Sequence, residues 1–117
     1  MKVAIAQINA TVGDLAGNAR LLAQAAREAH AQGARVVLAP ELALTGYPPE
    51  DLLLRPAFMQ ASAEALAALA AELSGLAGLH LVVGHPHEFG GPGHVRSKSM
   101  AVPSRFNAAS VLAGGHV

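Results

Sequence analysis

The stretch Arg35-Val36-Val37-Leu38-Ala39-Pro40-Glu41 decides the fold: an apolar β-type run that stops at a proline and hands over to a carboxylate. Such a run, bounded by turn signals, reads as a buried strand of a parallel sheet. Upstream, Leu21, Leu22, Ala25 and Ala29 recur at helical spacing, Asp14 stands where a cap is needed, and Gly33 supplies the stop. Residues 3–8 form another apolar run, expected to be a first, buried strand, joined to the helix by a polar connection through Thr11, Gly13 and Asp14. Downstream, Pro48, Pro49 and Pro56 fix φ and withdraw donors, so residues 45–55 are expected to be loop, with at most one helical turn at 50–54. A long Ala and Leu helix is expected from Pro56 to Ser74-Gly75, with Phe58, Ala61, Ala65, Leu69 and Leu73 as its apolar stripe. Residues 79–83 read as a third strand, 84–103 as a loop, 106–112 as a fourth strand, and Gly114-Gly115 as a two-residue hairpin turn. This alternation of strand and helix belongs to the α/β class.

Composition sets the outer bounds. A chain of 117 residues holds one core, and 52% hydrophobic residues against 14% charged ones is rich enough to fold rather than stay disordered. With one Tyr, three Phe and no Trp, the core is built from Ala, Leu and Val, and binding by aromatic stacking is not expected. Eight Lys plus Arg balance eight Asp plus Glu, and no basic stretch runs long enough to hold a phosphate backbone, so nucleic acid is not an expected partner. The absence of cysteine removes disulfides and thiolate metal sites and fits a reducing, cytoplasmic compartment. The opening apolar run, broken by Gln7 and Asn9, is too short for a signal peptide or a membrane span. After Gly114-Gly115 only His116-Val117 remain, too little for a returning strand, and the chain is therefore expected to be cut short at its C-terminus.

The chemistry-bearing stretch runs from Ala39 to Leu54. Glu41 stands at the C-terminal end of a buried parallel strand, where α/β sheets present ligands and catalytic groups. Partial desolvation there would make its carboxylate a useful general base, whereas on position alone it reads equally as a salt-bridged or helix-capping glutamate. Tyr47 can wall a substrate pocket shared with Glu41, or simply pack the loop. His85, His87, Glu88 and His94 are residue types that ligate zinc, but the intervening Pro86 and Gly-rich sequence give them no register, so a solvated loop is the expected reading and no metal site is assigned. Gly90-Gly91-Pro92-Gly93 lacks the helix N-terminus and the Lys-Ser/Thr pair of a phosphate cradle. Lys98 reads as a solvated lysine.

Taken together, the Ala6-Gln7 strand, Val12-Gly13-Asp14, Asn18, Gly33-Ala34, Val36-Val37 and Pro40-Glu41 resemble the N-terminal half of a nitrilase-superfamily amidase. Leu44-Thr45-Gly46-Tyr47-Pro48, followed by Glu50-Asp51-Leu52-Leu53-Leu54, is similar to the glutaminase domain of glutamine-dependent NAD synthetases. Arg105-Phe106-Asn107-Ala108-Ala109 resembles that family's Tyr-Asn-Ala-Ala strand, with Phe in place of Tyr. The resemblance implies a nitrilase-like α-β-β-α sandwich, of which residues 1–117 form the N-terminal portion: about four strands and two main helices of a partial carbon-nitrogen hydrolase domain. It also implies a Glu, Lys and Cys triad in which Glu41 is the general base, while the positions of the Lys and Cys lie beyond this chain.

Glutamine is then the expected substrate. The released ammonia would serve a separate synthetase domain, absent here, that uses ATP and Mg to amidate deamido-NAD. No cofactor is expected in this chain, and the full-length protein is expected to be a homo-oligomer, because the family it resembles assembles through this α/β sandwich and half a sandwich exposes an apolar sheet face. The alternatives are another amidase of the superfamily, such as a carbamoylase or ω-amidase, and a noncatalytic fragment or interaction module.

Overall fold

The computed structural model describes residues 1–89 and 104–117. Strand β1 (Lys2–Ile5) leads to helix α1 (Leu15–Ala31) and strand β2 (Ala34–Leu38). A single 3-10 turn (Glu50–Leu54) precedes helix α2 (Pro56–Glu72), which is followed by strands β3 (His80–Phe89) and β4 (Ser104–Leu112). The four strands form one sheet in the order β1-β2-β3-β4. The first three run parallel and β4 returns antiparallel to β3.

Local chemistry accounts for the helix ends. Asp14 Oδ1 accepts the Gly17 N–H at 3.0 Å and caps α1. Gly33 takes φ 93°, the left-handed conformation that lets the chain leave the helix at once for β2. Pro56 opens α2, where its missing N–H costs nothing. At the far end of β4, Gly114 and Gly115 both have positive φ, 58° and 85°, and Ala113 and His116 exchange two backbone bonds of 3.0 Å across them. That is the expected two-residue hairpin turn.

Both helices lie on one face of the sheet. Strand pairing aligns Ala4, Val37, Leu81 and Leu112 on that face, where all but Ala4 are fully buried against Leu22 and Ala26 of α1 and Leu66 and Leu69 of α2. Each fully buried leucine contributes about 1.5–3 kcal/mol from water exclusion alone.

Several expectations shift at this level. β1 covers residues 2–5 and is an edge strand with Val3 50% and Ile5 74% exposed, because among the described residues only β2 flanks it and no layer covers its outer face. The buried face of α1 is Asn18, Leu22, Ala23 and Ala26, which leaves Leu21 exposed. The buried face of α2 is Met59, Ser62, Leu66, Leu69 and Ala70, so of the five expected stripe positions only Leu69 and, just past the helix end, Leu73 are buried. Phe58, Ala61 and Ala65 are half-buried, and the two alanines line the groove between the helices. A run so rich in alanine does not mark its own inner side, and the bulkier Met59 and Leu66 are the ones turned toward β3 and β4. β3 continues through His85, Pro86, His87 and Glu88, which were expected in a loop, because β4 pairs with it along its whole length. Gly90 to Gly93, His94 and Lys98 lie outside the described residues.

Candidate active site at the end of the second strand

After β2 the backbone stays with the sheet for one more residue, through the Ala39 N–H to Val82 C=O bond of 3.0 Å, and then turns. The turn is tightened by Ala43 N–H to Pro40 C=O and tied to β3 by Leu44 N–H to Gly84 C=O at 3.3 Å. Leu42, directly after Glu41, has φ 49° and is buried. A branched side chain in this left-handed region costs on the order of 1 kcal/mol or more and persists only where the surroundings impose it.

The surroundings are identifiable. Gly84 of β3 presses against the turn so closely that a Cβ there would lie 2.5 Å from Leu42 N and 2.9 Å from Pro40 O. On the other side of the turn, Asn18 of α1 is 1% exposed and spends its side-chain amide on three bonds. Its Oδ1 accepts the Thr11 N–H at 2.8 Å, and its Nδ2 donates to Thr11 C=O at 2.8 Å and Leu44 C=O at 3.0 Å. Gly46, at φ 80°, meets the backbone of Thr11 and Val12, where a Cβ would sit 2.6–2.8 Å from main-chain atoms. Thr45 is fully buried, its hydroxyl donating to Gly46 C=O at 3.1 Å. Residues 40–46 are therefore a packed, hydrogen-bonded turn rather than a free loop.

Glu41 emerges from that turn on the sheet face opposite the helices. Its Oε1 accepts a hydrogen bond from Asn107 Nδ2 of β4. Asn107 belongs to the outer face, since it pairs with Pro86 while its neighbour Ala108 pairs with inward-facing His85. Glu41 is exposed in this chain, and the desolvation expected from its strand-end position is not provided by these residues. Tyr47 is 64% exposed and joined to Pro48 by a cis peptide. The cavities beneath the helices and along β1 are lined by other residues, and a pocket shared by Glu41 and Tyr47 is not among them. Among the described residues no group of three His, Asp or Glu side chains converges as a metal site. No helix of the described chain is long and apolar enough to cross a membrane.

Sequence reasoning missed the supports of Glu41. Asn107 and Asn18 entered it only as marks of resemblance, although a buried Asn at the start of a helix signals a side chain that ties loops together. Gly84 opened an expected loop and instead sits in mid-strand, where a glycine often marks a close backbone approach.

Comparison with known proteins agrees with this architecture. A match to the carbon-nitrogen hydrolase family covers residues 2–112. A glutamine-dependent NAD(+) synthetase of Xylella fastidiosa is 42% identical over 120 residues, which is 100% of this chain and 19% of that protein. The corresponding protein of Synechocystis sp. is 49% identical over 71 residues, 61% of this chain and 13% of its own length. The structure of glutamine-dependent NAD+ synthetase from Acinetobacter baumannii in complex with ADP matches with TM-score 0.73 and 30% identity, over 98% of this chain and 19% of that one. An amidase from Nesterenkonia sp. matches with TM-score 0.60 and 29% identity, over 73% of this chain and 32% of that one. One form of that amidase carries the acetamide moiety of fluoroacetamide covalently at its active-site cysteine. This chain thus spans no more than 19% of the length of these NAD synthetases. With the family match running from the first strand to the last, the chain belongs to the carbon-nitrogen hydrolase family.

Proposed function

We propose that residues 1–117 supply the general base, Glu41, of a glutamine-hydrolysing site within a longer glutamine-dependent NAD synthetase. The observation that carries this reading is the placement of Glu41. A carboxylate follows a parallel strand, held by Asn107 on one side and by the Gly84-braced turn on the other. Such rigid support of a proton acceptor is what general-base catalysis needs, because misplacement by an ångström costs orders of magnitude in rate.

In this reading Glu41 takes the proton of a thiol as the sulfur attacks the glutamine side-chain amide, and a lysine stabilises the oxyanion. This chain contains no cysteine, so the thiol comes from elsewhere in the longer protein. Tyr47 is assigned to the substrate wall, where its exposed ring is free to meet a ligand or a covering layer. ATP and Mg act in a synthetase domain outside these residues, and the product is ammonia for amidation of deamido-NAD. Full-chain similarity to NAD synthetases, against 73% coverage by the amidase, supports glutamine over other amides.

The test uses the full-length protein and its Glu41→Gln variant. Loss of general-base assistance is expected to lower glutamine-dependent ammonia release by about 10²-fold or more. NAD formation from added ammonia should survive, since it bypasses the amide step. Full glutaminase activity in Glu41→Gln would remove Glu41 from the mechanism. Hydrolysis of simple amides with no NAD formation would favour the amidase reading instead.

A further inference from the structure

Across the sheet from Glu41, α2, the second half of β3, Ser110 of β4 and Val117 line a cavity of about 400 Å³. Met59, Ala63 and Leu66 of the helix give it an apolar wall, and His85 and Ser110 give it a polar corner. Its size falls within the roughly 300–1,000 Å³ of ordinary small-molecule sites.

The polar corner has a defined geometry. His85 is 5% exposed, its Nδ1 lies 3.0 Å from Pro86 C=O and its Nε2 lies 2.7 Å from Ser110 Oγ. A carbonyl oxygen can only accept, so in the neutral ring the proton sits on Nδ1 and Nε2 presents its lone pair. The Ser110 hydroxyl therefore donates to Nε2. Strand register produces this pairing: Ser110 faces Val83, and His85, two residues further along β3, projects from the same side. The result is a hydroxyl, a base accepting its proton and a group orienting the base, which is the logic of an activated serine with a carbonyl in place of the usual carboxylate.

We propose that Ser110 is an acyl-accepting nucleophile, with His85 as its general base, for small esters whose short apolar acyl chain fits this cavity. Ser110 Oγ attacks the ester carbonyl carbon while its proton passes to His85 Nε2. Collapse of the tetrahedral adduct breaks the ester C–O bond, and the proton on Nε2 passes to the departing alkoxide. The products are acyl-Ser110 and the free alcohol, with imidazole restored to its neutral form. A carbonyl stabilises the transient imidazolium less than a carboxylate does, so the reaction is expected to stop at one acyl group per chain. It is independent of the glutaminase reading, which concerns the other face of the sheet.

The 117-residue chain is treated with p-nitrophenyl butyrate and, separately, with an alkyl fluorophosphonate, then analysed by intact mass and peptide mapping. One adduct on Ser110 is expected, absent in Ser110→Ala and formed about 10²-fold more slowly or worse in His85→Gln. Because replacing a buried ring can loosen the fold, the wild-type chain is also labelled in urea, where the preference for Ser110 should vanish. Adducts scattered over other hydroxyls and lysines, no adduct at all, or equal labelling of Ser110 in folded and unfolded chain would each overturn the proposal and leave the His85–Ser110 bond with a structural role only. Glutamine is absent from the assay, so its outcome does not depend on that of the Glu41 test.

Discussion

Replacing Gly84 by alanine tests whether the turn that carries Glu41 is set by steric contact with β3. The added Cβ would lie 2.5 Å from Leu42 N, 2.9 Å from Pro40 O and 3.1 Å from Glu41 C, whereas ordinary contact begins at 3.4 Å. All three neighbours are backbone atoms, so no side chain can rotate away, and strand and turn must separate by up to nearly an ångström. Forced overpacking of this kind costs about 1–3 kcal/mol. The Leu44 N–H to Gly84 C=O bond, already 3.3 Å long, stretches further. At about 4 °C per kcal/mol for a domain of this size, the melting temperature should fall by about 4–12 °C. The comparison is Gly75→Ala, where a Cβ meets nothing within 4 Å and φ is not positive. That variant should match the wild type or gain a little from a stiffer unfolded chain. Circular-dichroism melts of the three proteins decide the matter, with hydrogen exchange at the Leu44 amide as a local readout. If Gly84→Ala melts with Gly75→Ala and Leu44 exchanges no faster, steric contact does not set the turn.

Other perturbations separate the remaining supports. Asn18→Ala removes three hydrogen bonds at a buried position and strands their backbone partners, and chemical denaturation should show a loss of about 3 kcal/mol. Asp14→Ala removes the cap of α1 and should cost about 1 kcal/mol by the same measurement. The Arg27–Glu72 ion pair between the helices is 2.9 Å long but about half exposed, so Glu72→Gln should cost less than about 1 kcal/mol, with the difference shrinking in high salt.

The sequence made most of the fold legible where periodicity and punctuation agreed. Asp14 and Gly33 bracket α1, Pro56 opens α2, and Gly114-Gly115 makes the terminal hairpin turn, each because one residue has a conformational role that few others can fill. The inner side of α2 was not legible, because alanine packs nearly as well inside as outside, and Met59 and Leu66 are selected by packing toward β3 and β4 that no local pattern shows. The length of β3 was not legible either. Pro86 argued against a strand, but β2 pairs with β3 only as far as Val82, so at Pro86 the strand has β4 on one side alone and the missing N–H is tolerated on the other. For the candidate site, Glu41 could be read from its place at a strand end. Asn107 and Gly84 could not be linked to it, since their contacts with residues 40–42 depend on a register that no local pattern encodes.

That register also explains why Glu41 is exposed. Ile5, Leu38, Val82 and Val111 pair in a row across all four strands on the face away from the helices. Ile5 is 74%, Leu38 39% and Val111 49% exposed, so the row is an apolar surface that water meets directly. Glu41 and Asn107 stand on that same face. In the α-β-β-α architecture of this family a second layer closes over such a face. Covering it removes apolar area from water and, in the same step, excludes water from around the carboxylate. Exclusion strengthens every charge interaction there, because the effective dielectric falls. In the proposed function, hydrophobic closure and the sharpening of Glu41 as a base would therefore be one event, and an exposed glutamate is what half of such a sandwich displays.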